Sequence, residues 1–291
     1  MLSFDVEEHF RIEAASHLDC SPSVKNVYRQ RAENATRSLL ELLNEANAPA
    51  TFFIVGELAK SSPGLIREIH QAGHEIASHG WDHQSVLKLN PAAFRSDIQQ
   101  SKDSLEQIIG SPIYGYRAPT FSIVPRTAWA IDALVEAGFQ YDSSIFPVSH
   151  DRYGVPHAPT VPFWCSGQDS TCKLLEIPPL TLRTPLKNLP VAGGGYFRLF
   201  PLSIMQTGLF LNRYHEPSVS MLYFHPWEFD PGQVRLPLPC LSRWRTYAGI
   251  HRSTARLRHL IRTISPSSFC RAVDVAGELK STQLIHFKLS A

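Results

Sequence analysis

Two histidines, four positions apart, are the first residues in this sequence whose types and spacing suggest chemistry. His79 and His83 lie in the stretch SHGWDH. Four positions correspond to about one helical turn, so both rings could point in the same direction. A catalytic metal site needs two or three imidazoles with a carboxylate. The stretch therefore predicts two-thirds of a metal site, or else two unrelated surface histidines, and Asp82 between them is expected to face solvent or to lie outside the ligands.

Carboxylates that could complete such a site crowd the end of the first predicted strand. The apolar segment MLSFDV ends in acid, with Asp5, Glu7 and Glu8 in close succession. Because side chains alternate along a strand, Asp5 and Glu7 should point to the same side. There they repel each other unless a cation lies between them or one is protonated. Glu7 could thus supply a carboxylate to His79 and His83, unless the strand end simply reaches solvent.

Three further polar residues follow strands later in the chain. Arg117 stands in YRAPTFS, where Pro119 restricts the preceding backbone and could hold the guanidinium on Asp5. An ordinary surface salt bridge is the alternative for Arg117. His225 in YFHPWEF is either a core histidine or a proton donor, and Asp142 in YDSS is a candidate partner that would tune it.

The elements that must position these residues alternate between strands and helices as far as about residue 146. The clearest helix, NPAAFRSDIQQSKDSLEQIIG, begins at an Asn-Pro cap and ends at Gly110. Alternation of this kind predicts an α/β fold with a parallel sheet or barrel, in which the chemistry lies at the C-terminal ends of the strands. Residues 147–200 predict an elaborated loop region, and the residues after His225 are predicted to be mostly helical and basic.

Composition argues against several classes of partner. The 28 basic and 26 acidic residues leave a net charge of +2, which predicts no nucleic-acid partner. No window approaches an uncharged apolar run of about 18 residues, so no membrane span is expected. The N-terminal stretch MLSFDVEEHF does not resemble a secretory signal, which predicts a cytoplasmic protein. The five cysteines, without a CxxC pair, predict free thiols.

The motifs FDVE, HxxxH, RAPTF, YDSS and FHP occur in the order typical of the polysaccharide deacetylase family, carbohydrate esterase family 4. The chain resembles that family over most of its first 230 residues. The segments DRYGVP, GGGYFR and HPWEFDP resemble the branch associated with bacterial exopolysaccharide gene clusters, which carries a C-terminal extension. The resemblance implies a distorted (β/α)7 barrel, with a catalytic domain at residues 1–230 and a helical extension packed on it at 231–291.

The resemblance also implies roles for the residues singled out above. Asp5 is similar to the catalytic base, Arg117 to the group that orients it, His225 to the general acid, and Asp142 to the group that tunes the acid. His79 and His83 resemble ligands of a divalent metal, usually zinc. Many members have a second aspartate directly after the base as a ligand. Here Val6 occupies that position, so the ligand is Glu7 or Glu8, and strand alternation favours Glu7.

The activity implied by the resemblance is metal-assisted hydrolysis of N-acetyl groups on amino sugars of a bacterial exopolysaccharide or its precursor. Four aromatic residues could line a sugar groove or pack in the core: Trp164, Tyr196, Phe197 and Trp227. The alternatives are a cyclic amide or imide hydrolase of the same superfamily and a non-catalytic glycan-binding module. The polymer, the sugar position, the identity of the metal and the oligomeric state stay open at this point.

Overall fold

The computed structural model describes residues 1–150 and 153–290. Its strands are β1 (Leu2–Val6), β2 (Ala50–Ile54), β3 (Glu75–Ser78), β4 (Gly115–Tyr116), β5 (Tyr141–Asp142), β6 (Phe163–Ser166), β7 (Leu174–Glu176), β8 (Thr181–Arg183), β9 (Asn188–Pro190), β10 (Leu222–Phe224) and β11 (His286–Lys288). Its α-helices are α1 (Pro22–Glu45), α2 (Gly56–Ser61), α3 (Pro63–Gln71), α4 (Pro91–Ile109), α5 (Trp129–Glu136), α6 (Gly194–Leu199), α7 (Leu202–Asn212), α8 (Cys240–Tyr247), α9 (Ser253–Arg262) and α10 (Ala272–Leu279).

Seven strands form the parallel sheet that positions the site. Their spatial order is β10, β1, β2, β3, β4, β5 and β7, and every neighbouring pair among them is parallel. A single bridge between Pro179 and Met221 joins the segment after β7 to the segment before β10. The predicted α/β class, a distorted (β/α)7 barrel, is thereby confirmed, with one bridge where a regular barrel has a full ladder.

Two long helices show how local sequence sets the element boundaries. The side chain of Asn90 accepts a hydrogen bond from Ala93 N at the start of α4, and Gly110 ends that helix with a φ of 69°, as the sequence predicts. Helix α1 begins at Pro22, well before the leucine-rich stretch that indicates it. Ser21 caps it by accepting from Val24 N, and proline is favoured in the first turn.

The second half of the chain differs from its prediction in two places. Residues 147–200 contain β6 to β9, including β7 of the parallel sheet, and none of these exceeds 4 residues. Strands so short show too little periodicity to be found from sequence. The extension after residue 230 is not solely helical, because β11 pairs with β6, and Leu257 and Leu289 belong to the same buried cluster as Phe4. The boundary at residue 230 stays a prediction.

Two expectations from composition can be compared with the described chain. None of its helices combines the length and the apolar character that crossing a bilayer requires. All five cysteines are free thiols, as their irregular spacing predicts.

A buried histidine next to β3 makes the stability of the fold depend on pH. His74 is 5% exposed, and its Nδ1 accepts a hydrogen bond from Ala50 N at 3.2 Å. Burial, with the nearby charge of Arg271, lowers the pKa of His74 from 6.5 to about 4. The neutral ring therefore contributes stability that is present above about pH 6.5 and is lost as the pH falls toward 4.

We expect His74→Asn to flatten this dependence, because the amide oxygen can accept from Ala50 N without titrating. Between pH 6.5 and 4, the decrease in the free energy of unfolding should be smaller for His74→Asn than for the wild type, by on the order of 1–2 kcal/mol. Urea unfolding at a series of pH values measures this, with the exposed His17→Asn as control. Identical pH slopes for His74→Asn and the wild type would contradict the prediction.

Candidate active site

Asp5, near the end of β1, is held by a fully buried arginine. Arg117 Nη1 donates to Asp5 Oδ1 at 2.7 Å, and Arg117 has 0% exposed surface. Its other donors reach Ser3 Oγ and both the carbonyl and the hydroxyl of Ser143. Arg117 also lies 4.0 Å above the ring of Phe53. The pair is thus a buried one, not a surface salt bridge, and Asp5 Oδ2 remains directed toward His225 Nε2, 3.9 Å away.

Glu7, His79 and His83 converge beside this pair. One ligand atom from each lies within 4.8 Å of the others. His79 Nδ1 lies 2.8 Å from the carbonyl of Arg117, so it donates there and leaves Nε2 available for a ligand. Burial lowers the pKa of His79 to about 4, which keeps its ring in the neutral form that metals bind.

An unsatisfied oxygen on Glu7 tests whether the cluster suits a metal ion. Glu7 Oε2 is buried and has no hydrogen-bond partner among the described residues, although His83 Nε2 lies 2.5 Å from it. Burial would raise the pKa of Glu7, but the proximity of His83 outweighs burial and holds that pKa below its ordinary range. A buried, ionised oxygen beside two imidazole nitrogens fits a divalent cation. Glu8 instead forms an ion pair with Arg11 at 2.5 Å.

A loop, not a helix, brings the two histidines together. Strand β3 ends at Ser78, and both Gly80 and His83 have left-handed backbone, with φ of 74° and 65°. The loop is held by hydrogen bonds from His79 N to Ile54 O and from Gly56 N to Gly80 O, each 2.9 Å. The two rings therefore come together as their spacing predicts, but through a loop and not through a helical turn. The left-handed His83 stores on the order of 1–3 kcal/mol of strain, of a kind that clusters at functional sites.

Asp82, between the two histidines, does not point toward the cluster. Its side chain is exposed, and its Oδ1 accepts a hydrogen bond from Gln84 N at 3.1 Å. The structure agrees with the expectation that Asp82 faces solvent, and it makes Asp82 a suitable control residue for experiments on the site.

His225 follows β10 and uses its two ring nitrogens differently. Nε2 lies 3.9 Å from both Asp5 Oδ2 and Glu7 Oε1, and Nδ1 lies 2.8 Å from Glu228 Oε1. Burial alone would lower the pKa of His225. The hydrogen bond and charge of Glu228, with the charges of Glu7 and Asp5, instead raise that pKa to about 9. The ring is therefore protonated at neutral pH, the form that a general acid requires.

The YDSS motif predicts that Asp142 tunes His225, and the structure gives Asp142 a different set of neighbours. Asp142 Oδ1 accepts from Ser144 Oγ at 2.5 Å, and Ser144 Oγ accepts from Ala118 N at 2.7 Å, so Asp142 supports the loop that follows Arg117. Burial raises the pKa of Asp142 and of its cross-strand partner Glu176, which together retain a proton. Asp142 thus lies beside Ser144 and Glu176, whereas Glu228 contacts the His225 ring.

The role of Glu228 has a signal in the sequence. In HPWE, Pro226 begins a short 3-10 turn, and Glu228 stands three positions after His225, the spacing at which a carboxylate reaches back to the start of a helix. Its Oε1 accepts from His225 N at 3.1 Å as well as lying against Nδ1. Local turn chemistry would therefore have identified the partner of His225.

The cluster opens into a cavity of about 500 Å³, within the size range of small-molecule sites. Of the four aromatic residues predicted for a sugar groove, Trp227 lines this cavity, where its Nε1 donates to Glu7 Oε1 at 3.1 Å. The other cavity aromatics are ones that the sequence did not single out: Phe121, Tyr153 and Tyr223.

The remaining three predicted groove aromatics lie elsewhere. Phe197 is buried against Phe224, Tyr196 lines a separate small cleft, and Trp164 pairs across the sheet with Leu175. Phe197 and Trp164 therefore take the packing alternative, and Tyr196 lies outside the cavity that Glu7, His79 and His83 line. The DRYGVP motif begins with Asp151 and Arg152, which lie outside the described residues.

Comparison with known proteins gives two family matches that together span most of the chain. Residues 20–141 match the family described as Polysaccharide deacetylase, and residues 143–276 match a domain of unknown function, DUF3473. Asp5 and Glu7 precede the first match, and His225 and Glu228 fall in the second.

Curated relatives are similar to the first part of the chain. A peptidoglycan-N-acetylglucosamine deacetylase of Bacillus cereus is 30% identical over 98 residues, which is 33% of this chain and 36% of that protein. A chitooligosaccharide deacetylase of Bradyrhizobium sp. is 26% identical over 99 residues, covering 34% of this chain and 43% of that protein. The matched part thus spans about two fifths of the length of these relatives.

Solved structures are similar over nearly the whole chain. One described as a "putative polysaccharide deacetylase from Mycobacterium smegmatis" gives a TM-score of 0.65 at 23% identity, covering 100% of this chain and 92% of that one. Puue allantoinase gives a TM-score of 0.64 at 20% identity, covering 97% and 90%. At these identities the likeness shows a shared fold.

Proposed function

We propose that the chain, whose residues 20–141 match the polysaccharide deacetylase family, is a metal-dependent hydrolase that removes N-acetyl groups from amino sugars of a bacterial exopolysaccharide or its precursor. The observation that carries the proposal is the position of His225 Nε2, 3.9 Å from Asp5 Oδ2 and from Glu7 Oε1, with all three residues lining one cavity. A proton acceptor, a proton donor and a cluster suited to a cation thus face the same space. The segments DRYGVP, GGGYFR and HPWEFDP support the exopolysaccharide assignment.

Glu7, His79 and His83 would hold the metal, for which we propose zinc. When bound, the ion would act as a Lewis acid toward the acetyl carbonyl and make the attacking water more acidic. Two imidazoles and one carboxylate form a set that zinc favours in catalytic sites, with a position left for water or substrate. The hydrogen bond from His79 to the Arg117 carbonyl fixes the orientation of one of these ligands.

Asp5 and His225 would move the protons. Arg117 occupies Asp5 Oδ1, so Oδ2 is the oxygen free to take a proton from the attacking water. As the carbon–oxygen bond forms and the carbon–nitrogen bond breaks, His225 Nε2 would give its proton to the departing amine. Acetate and a free amino sugar are the products. Protonation matters because an unprotonated amide nitrogen is a poor leaving group.

Acetate release from N-acetylglucosamine oligomers tests the proposal. We expect the zinc-supplemented wild type to release acetate, and Asp5→Asn to lower kcat by about 10²–10⁴-fold, the usual range for losing a general base. Asp82→Asn, which alters an exposed carboxylate between the histidines, is the matched control and should behave as the wild type.

No acetate release from any N-acetylhexosamine polymer by the metal-loaded wild type would overturn the proposal. Turnover of a cyclic imide in its place would assign the site to ring-opening amide hydrolysis. Equal glycan binding by the wild type and Asp5→Asn, with acetate released by neither, would identify a glycan-binding module.

A further inference from the structure

We propose that Glu228 and Arg198 are positioning residues for His225, and that residues 245–248, beyond the predicted catalytic barrel, hold Arg198 in place. The inference rests on the proposed function, because it concerns the general acid of that reaction. According to this inference, the C-terminal extension helps to position the residues of the active site.

Glu228 controls both the backbone and the ring of His225. Its Oε1 accepts from His225 N at 3.1 Å and lies 2.8 Å from Nδ1. With Nδ1 committed to Glu228, only Nε2 can face the cavity and donate a proton there. Glu228 has 0% exposed surface and therefore acts on substrate only through His225.

Arg198 holds Glu228 from the opposite side. Its Nε donates to Glu228 Oε2 at 2.6 Å, and its side chain is nearly fully buried, with its guanidinium 5.6 Å from the centre of the Trp227 ring. Without this cation, Glu228 would be a buried carboxylate balanced by His225 alone. Arg198 therefore fixes the position of the buried Glu228 carboxylate behind the His225 ring.

The C-terminal extension positions Arg198 through backbone carbonyls. Arg198 Nη1 donates to Thr246 O at 2.7 Å, to Ala248 O at 3.0 Å and to Arg245 O at 3.3 Å. These acceptors lie at the end of α8 and just after it, and the Arg245 side chain lines the cavity. Gly249 allows the close approach, because a Cβ at that position would lie 2.6 Å from the Arg198 carbonyl.

The GGGYFR segment thereby acquires a physical role. A Cβ on Gly193 would lie 1.6 Å from Tyr223 O, so only glycine lets the start of α6 pack directly against β10. Helix α6 then carries Arg198 to Glu228, which follows the same strand. The motif therefore places Arg198 next to β10, the strand that His225 and Glu228 follow.

Two substrates separate positioning of the acid from general damage to the site. Deacetylation of N-acetylglucosamine oligomers needs a proton on the leaving amine, whereas p-nitrophenyl acetate releases a stable phenolate without one. We expect Glu228→Gln and Arg198→Lys each to lower kcat for deacetylation by about 10–10²-fold, part of the contribution of a general acid. KM and the ester rate should stay within about threefold of the wild type.

The control and a test of the extension use neighbouring residues. Arg31 donates two hydrogen bonds to Asp230, at 2.6 and 2.7 Å, close in sequence to Glu228 but without contact to His225 in the described chain. Arg31→Met should therefore leave both rates unchanged. Gly249→Ala should displace the extension from Arg198 and lower deacetylation selectively, as Arg198→Lys does.

Thermal unfolding and metal content are measured for every variant. Equal rate losses on the amide and the ester substrate, or loss of metal from Glu228→Gln, would show a merely structural role and overturn the inference. Wild-type deacetylation by Glu228→Gln would overturn it as well. A wild-type kcat for Gly249→Ala would show that the C-terminal extension does not position Arg198, and would overturn that part of the inference. If Gly249→Ala does not fold, Arg198→Lys decides. Failure of the proposed function differs from all of these, because the wild type itself would then release no acetate.

Discussion

Replacing His83 or His79 by alanine is expected to remove the bound metal ion and to lower deacetylation by at least about 10³-fold, since a catalytic metal contributes several kcal/mol of transition-state stabilisation. Each substitution leaves only one imidazole with Glu7 in the cluster. Metal analysis of the purified variants, followed by acetate release with added zinc, measures the two effects together. Circular dichroism should show the fold unchanged, because neither ring belongs to the apolar core.

A second substitution at the same position separates ligation from backbone strain. His83→Gly loses the ligand but suits the left-handed backbone at φ 65°, so it should be more stable than His83→Ala by about 1 kcal/mol. Exposed His251→Ala is the matched control and should keep both metal and activity. Full metal occupancy in His79→Ala and His83→Ala would contradict the assignment of the site.

Replacing Arg117 by alanine is expected to cost about 3–5 kcal/mol of stability, because it leaves the buried Asp5 carboxylate without its counter-charge. The substitution also removes the contacts that Arg117 makes with Ser3, Ser143 and the Phe53 ring. Arg117→Lys keeps a charge but cannot reproduce the planar set of donors, so deacetylation should fall even where the protein stays folded. Urea unfolding and acetate release measure the two losses.

A double-mutant cycle identifies the source of the Arg117 effect. Arg117→Ala in an Asp5→Asn background should cost less stability than in the wild type, because a neutral amide needs no counter-charge. A coupling energy of about 2 kcal/mol or more is expected for a pair whose atoms lie 2.7 Å apart with almost no exposure. Additive losses would show that Arg117 stabilises the barrel through packing, independently of Asp5.

Some of the site was accessible from the sequence because it depends on short-range chemistry. The alternation of side chains on β1 indicates that Asp5 and Glu7 share a side, and the structure directs both toward His225. Strands that end in polar residues indicate which edge of a parallel sheet carries them. The same locality explains why the boundaries of α4 follow from Asn90 and Gly110 alone.

Other features of the site could not be predicted from the sequence, because they depend on which distant segments pack together. The ion pair between Arg198 and Glu228 joins residues 30 positions apart, and α6 must first pack against β10 for it to form. Asp142 has the residue type of a histidine partner, but its Oδ1 accepts from Ser144 Oγ just after β5, and its cross-strand neighbour on β7 is Glu176. Aromatic composition likewise indicated sugar-groove candidates without separating the cavity wall from the core, since both favour the same side chains.

The sequence by itself determined the alternating α/β class, the ends of its best-capped helix and the candidate residues for a metal site, a base and an acid. Periodicity, caps and motif order are properties of neighbouring residues, so no packing is needed to see them. Only the tertiary structure decided that a strained loop brings His79 and His83 together, that Glu228 supports His225, and that the extension holds Arg198. These depend on burial and on contacts across the chain, where excluding water makes one partner much more favourable than another.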